Sequence, residues 1–190
     1  MEKKKINVHA KVKNISYNIK MEALKFKKID GTVIDNVEKY VKDWTKINPY
    51  GKIIIGCDSQ VHGRRIKYSI IICMHRIDKM LVGHGCHLLI CDIWEKRMNK
   101  SQIEEMPTKL WREAEFALQT AELVNGTDEY FKKSIEVHLD FNSVPEANSH
   151  ENLSNRMYAS GLGLLSGSGY KVFGKPFAKI SSNCADHFCR

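Results

Sequence analysis

Four acidic residues stand where a carboxylate could do chemistry: Asp58 closes the uncharged run GKIIIGC, Glu113 lies in LWREAEFAL, Asp140 in VHLDFN and Asp186 in SSNCADH. Carboxylate oxygens are hard ligands, and two of them held together repel each other unless a cation lies between them. Such a set suits Mg2+ or Mn2+, the ions that assist hydrolysis of phosphate esters. Each acid alone has a plainer explanation. An aspartate after a strand is commonly a turn-former, Asp186 could be a cap or a surface group, and Glu113 could rest its stem on the core with its head in water. The case for chemistry depends on whether the chain brings the four together.

The elements that must position them can be read from periodicity. DNVEKYVKDW places Val37, Tyr40, Val41 and Trp44 at helical spacings behind Asp35 as an N-cap. KIIIGC, IKYSIIICM and LVGHGCHLLI read as three strands, separated by the loops DSQVHGRR and HRIDK, and predict an antiparallel meander. From Thr108 the period changes. Leu110, Ala114, Ala117, Leu118, Ala121 and Val124 mark one face of a helix that Asn125-Gly126 stops. SIEVHLDFN and YKVFGK follow as strands, with helices over HENLSNRMYASGLGLLSG and AKISSNCADHF. The alternation predicts an α/β fold in which a five-stranded mixed sheet, a three-strand meander followed by β-α-β-α, is flanked by helices.

Handedness then makes a spatial prediction. A right-handed crossover through the helix at 108–125 sets the strand ending at Asp140 parallel to an earlier one, and the uniformly apolar KIIIGC strand is the natural neighbour. Asp58 and Asp140 then leave adjacent strands at the carboxyl edge, where open α/β sheets bind ligands. Glu113, three residues after Leu110 and four before Ala117, shares the apolar face of its helix, while Glu115 points away with Arg112 and Gln119. Around this edge, Ser59, Gln60 and Asn142 are candidate substrate contacts or turn-formers, and Lys175 a candidate phosphate contact. His187, beside Asp186, is a candidate proton shuttle or simply a solvated histidine, and His62, Arg64 and Arg65 read as solvated loop residues.

Composition sets the outer bounds. A chain of 190 residues with 43% hydrophobic residues is within reach of one full-sized core. No run approaches a membrane span and no apolar h-region follows the lysine-rich start, so the protein reads as cytoplasmic. Six cysteines without a C-x-x-C read as buried reduced thiols, and Cys86, His87, Cys91, Cys184, His187 and Cys189 have spacings that fit no ordinary zinc finger. Of the net charge of +8, residues 1–28 supply +7, nine lysines against Glu2 and Glu22. We divide the chain into a basic arm, 1–29, and a single domain, 30–190. The arm, with the alternating stretches INVHAKV and ISYNIKM, is a solvated or edge-strand segment, an oligomer contact, or a holder of a nucleic-acid backbone.

The pieces IIIGCDSQ, LWREAEFAL, VHLDFN with the later Ser149, GSGYKVFGKP and SSNCADH resemble, in order and spacing over about residues 30–190, the YkuK-like family within the ribonuclease-H-like superfamily of metal-dependent nucleases. That resemblance implies a two-metal phosphodiester site holding Mg2+ or Mn2+, with Asp58 and Asp140 as central ligands and Glu113 and Asp186 completing the catalytic set. The four acids together with the basic arm point to a nuclease with nucleic acid, RNA before DNA, as partner. A non-catalytic nucleic-acid-binding or assembly module on the same fold is the alternative. A phosphotransfer relative is disfavoured because GLGLLSGSG sits at a helix end and no P-loop is present. Asp186 lies four residues before the last, where a terminal helix frays unless it is tied down.

Overall fold

The computed structural model describes residues 24–97, 102–141 and 153–190. Asn142, Ser149 and the stretches INVHAKV and ISYNIKM lie outside the described residues. A six-stranded mixed sheet in the order β1-β4-β3-β2-β5-β6 forms the centre. Its strands are β1 (Lys27–Lys28), β2 (Lys52–His62), β3 (Arg65–Ile77), β4 (Gly83–Lys96), β5 (Ile135–Leu139) and β6 (Lys171–Phe173). The expected meander and crossover strands are all present, and the sixth strand is the two-residue β1, antiparallel to β4. β2 is antiparallel to β3, β3 to β4, while β2, β5 and β6 run parallel.

Helices cover both faces, and the pleat of β2 separates them. Ile53, Ile55 and Cys57 face a large core built with α1 (Val37–Ile47), α2 (Gln102–Asn125) and α4 (Leu153–Gly167), to which Val41, Ala114, Ala117, Ala121 and Leu165 contribute. Leu24 and Phe26 are buried in the same core, so the packed unit takes in the last residues of the basic arm. Ile54 faces a smaller cluster with Ile71, Cys73, Ile90 and Ala185, under a π-helical turn (Ile180–Ala185) and a short last helix. A four-residue α3 (Glu129–Lys132) precedes β5, and the last helix is α5 (Asp186–Cys189). No helix among the described residues is long and apolar enough to cross a membrane.

Several boundaries differ from the sequence expectation: β3 runs on to Ile77, β4 to Lys96, and the closing helix is divided into the π-helical turn and α5, while three further differences bear on the site or on stability. The N-cap of α1 is Asn36, not Asp35: its extended backbone (φ −127°) lets its side chain accept from the Lys39 N–H at 2.8 Å. Asn36→Ala is expected to lower stability by about 1 kcal/mol in a thermal melt, with little effect on any activity. α2 begins at Gln102 and carries Pro107 within it, because the bidentate pair of Arg97 with Glu105, at 2.8–3.0 Å, ties its first turns to the end of β4. Finally, β2 runs through DSQVH and turns only at Gly63-Arg64, where Gly63 takes φ +59°. Those residues resemble a loop in sequence because they are polar, although Ser59 is buried against Glu113 of α2 and the C-terminal helix packs on Asp58 and His62.

Candidate active site

The difference in β2 relocates its acid. Asp58 is not a strand-end residue; it sits mid-strand, opposite Ser69 of β3. What ends there is the other neighbour. β5 pairs with β2 only as far as Leu139, opposite Cys57, so Asp58 and Asp140 occupy the next step of the same parallel register, on strands about 4.8 Å apart. From that step onward one side of β2 has no strand beside it among the described residues. Asp140 is held in place by its neighbours. Gly161 of α4 packs against the Phe141 ring so closely that a Cβ would lie 2.4 Å from it, and the Lys175 N–H donates to the Phe141 carbonyl at 3.1 Å.

Glu113 reaches the same edge from the α2 side. It is 1% exposed, and the Ser59 hydroxyl donates to its Oε1 at 2.5 Å. Its other oxygen, Oε2, is buried with no hydrogen-bond partner. Burial, then the charge of Asp58, pushes the Glu113 carboxyl up to about 8, against the pull of Lys109 and Ser59. Burial likewise pushes Asp58 up to about 6; the Ser59 N–H and Lys109 oppose this, and the charges of Asp140 and Asp186 add to it. Two acids on opposite faces of β2 thus share one electrostatic environment at its open flank.

Asp186 opens α5, which packs over the Asp58 face. The last helix does not hang free. Cys189 Sγ–H donates to the Asp58 carbonyl at 3.2 Å, His62 Nε2 meets the Cys189 carbonyl at 2.9 Å, and Lys67 donates to the Phe188 carbonyl. His187 is exposed, its ring edge-on to Phe188 at 5.2 Å. Gln60 is exposed one step beyond Asp58 on the same face of β2, whereas Ser59 is turned inward onto Glu113.

Cations offset this negative charge. Lys175 Nζ lies 3.0 Å from Asp140 Oδ1 and Arg190 Nη2 lies 2.5 Å from Asp186 Oδ2. Lys109 Nζ donates to the Ser59 carbonyl at 2.8 Å within the fields of Asp58 and Glu113. Sequence reading placed Lys175 here but missed Lys109 and Arg190; the available signal was that each stands four residues from a candidate acid, Glu113 and Asp186. Among the described residues no three His, Cys, Asp or Glu side chains are gathered closely enough to hold a metal ion, and this includes the cysteines and histidines of the C-terminal segment. The donor chemistry nevertheless fits a hard divalent cation: the oxygens are carboxylate, one is buried without a partner, and two of the acids are raised in pKa by burial together with the charge of neighbouring carboxylates. Alternate residues of the outer β2–β3–β4 surface add exposed cations and a tryptophan beyond the carboxylates. A family model described as Ribonuclease H-like matches residues 32–190 of the chain. No curated protein and no solved structure matches it significantly.

Proposed function

The chain belongs to the ribonuclease-H-like family, and from that premise we propose that it is a metal-dependent nuclease hydrolysing phosphodiester bonds of RNA or an RNA-containing structure. The observation that carries the reading is that Asp58 and Asp140 each directly follow the last residues paired between β2 and β5, Cys57 and Leu139, with the buried Glu113 behind them. The motifs IIIGCDSQ, VHLDFN and SSNCADH support the YkuK-like branch within the family. Six free thiols agree with a reducing, cytoplasmic setting.

Asp58 and Asp140 are the central ligands for Mg2+ or Mn2+, and Glu113 and Asp186 complete the set. Two such ions, when bound, supply an activated water and stabilise the leaving oxygen. The remaining work falls to the chain itself. Ser59 fixes the orientation of Glu113, and Lys109 holds the Ser59 carbonyl while tempering the negative field. Lys175, beside Asp140, is placed to meet a phosphate arriving at the edge, and Gln60 offers an amide one step further out. His187, exposed next to Asp186, can pass a proton between bulk water and the site. Asn142 stays in the proposal as a substrate contact from its position two residues past Asp140.

A second reading has its own support. Lysine and arginine partners for the carboxylates are what a non-catalytic relative would also keep, with the basic arm carrying affinity for nucleic acid. Labelled RNA oligonucleotides incubated with Mg2+ or Mn2+ separate the two. The nuclease reading expects cleavage that stops in EDTA and in Asp140→Asn; equal cleavage by wild type and Asp140→Asn overturns it. The binding reading expects affinity that is indifferent to EDTA and falls on deleting residues 1–20, which removes six of the lysines while sparing Leu24 and Phe26 of the core.

A further inference from the structure

Strand register arranges nine side chains of β2, β3 and β4 in three rows on the face that carries α5. The first row is Asp58, Ser69 and Asp92; the second Gln60, Lys67 and Trp94; the third His62, Arg65 and Lys96. Successive rows are about 6.7 Å apart, so the third lies roughly 13 Å from the carboxylate row. The rows differ in character. The first is closed by its own contacts, the Ser69 hydroxyl donating to Asp92 at 2.7 Å and Lys67 lying 3.8 Å from the same carboxylate. Beyond it the face carries no acid. Trp94 is 46% exposed, with the His62 ring 5.4 Å from it, Arg65 at 5.8 Å and Lys67 at 6.0 Å. Arg64, Arg65 and Lys96 are exposed as well.

Nearly half of the indole is open to solvent, and what flanks it on this sheet face is cations and an imidazole. We propose that this surface is a platform for a single-stranded segment of nucleic acid, one base stacking on Trp94 and its neighbouring phosphates meeting Arg65 and Lys96, with the strand led along the rows toward Asp58. The inference rests on the reading of the carboxylate edge as a phosphodiester site, and it adds the form in which substrate arrives. Three arguments fix the occupant. The two outer rows hold cations and no acid, and although Lys67 leans back to Asp92 of the first row, Arg65 and Lys96 leave the outermost row positive, which complements phosphate. An indole can stack only on a base whose face is open, so a duplex would meet the cations and leave Trp94 unused. The surface is also continuous with the candidate site, through Gln60, on one face of one strand.

The experiment measures binding of labelled single-stranded oligouridine and of a duplex RNA of equal length by fluorescence anisotropy, in EDTA to prevent turnover. The single strand is expected to bind more tightly. Trp94→Ala is expected to weaken single-strand binding about 5- to 100-fold, and Trp94→Phe to restore most of it. Combining Arg65→Ala with Lys96→Ala is expected to reduce the slope of log affinity against log salt by about 1.4, two phosphate contacts on a single strand, while Trp94→Ala leaves the slope unchanged. Unchanged single-strand binding in a folded Trp94→Ala protein overturns the proposal, as does a change of oligomeric state in that variant without a change in RNA affinity, which would mark a protein contact. The two readings fail separately. Trp94-dependent binding with no cleavage under any divalent cation removes the nuclease and keeps the platform; cleavage and binding both indifferent to Trp94→Ala do the reverse.

Discussion

Asp58→Asn is expected to lose RNA cleavage by at least about 100-fold and, at the same time, to melt at a higher temperature than the wild type near pH 8. The two effects have one cause. Asp58 is held against burial and the charges of Asp140 and Asp186, and a carboxylate kept in such company is useful only when something needs its charge. The loss in rate follows the size seen when one charge-stabilising group is removed from a transition state. The gain in stability follows from its pKa, raised to about 6 from 3.8. Above that pH the fold holds a charge that the unfolded chain would carry at less cost, a penalty on the order of 1–3 kcal/mol that the amide removes. Lower activity with unchanged or lower stability would identify Asp58 as a structural residue, and unchanged activity would end the nuclease reading.

A larger stability effect is expected from pH, through Glu113. Its folded pKa, about 8 against 4.5 for the ordinary side chain, means that the native state binds the proton more tightly than the unfolded state does. Between those values the folded protein carries more protons, so stability falls as pH rises. The full contribution is present below about pH 4.5 and lost above about pH 8, a change on the order of 3–5 kcal/mol. Melts in EDTA should therefore show a falling midpoint across this window, largely flattened in Glu113→Gln. Millimolar Mg2+ should raise the midpoint near pH 9 and do little near pH 5, because a cation competes with protons for these oxygens. An equal Mg2+ shift at both pH values would place the ion elsewhere on the protein. A wild-type midpoint that does not fall with pH would show that Glu113 ionises without penalty.

The proposed platform and the carboxylate step complement each other. α5 reaches from one to the other, touching Asp58, Lys67 and His62 through backbone and thiol contacts. The residues of α5 are thus part of the site's architecture, joined by three attachments to β2 and β3.

Much of this was legible in the residues before any coordinates. The uncharged KIIIGC run announced a central strand, the Leu110–Val124 spacing a helix, and the handedness of crossovers then set β5 parallel to β2. Glu113 could be placed on the inward face of α2 by counting alone, and so could the adjacency of Asp58 and Asp140. These inferences succeed because periodicity and chirality are local properties that each segment carries with it. What tertiary structure alone decided lies beyond such rules. That β2 continues past Asp58 is set by its ladder to β3, and polar residues paired on an exposed sheet face have the composition of a loop. That Gln119 Oε1 is buried, where helical counting pointed it outward, depends on what α2 packs against. That Lys109 reaches the Ser59 carbonyl and Lys175 reaches Asp140, and that Trp94 is brought over Arg65 and beside His62, depends on register between segments tens of residues apart. Side chains that meet only across strands or layers carry no mark of their partners in their own neighbourhood, so the chemistry of this edge is written in the sequence but its geometry is written in the packing.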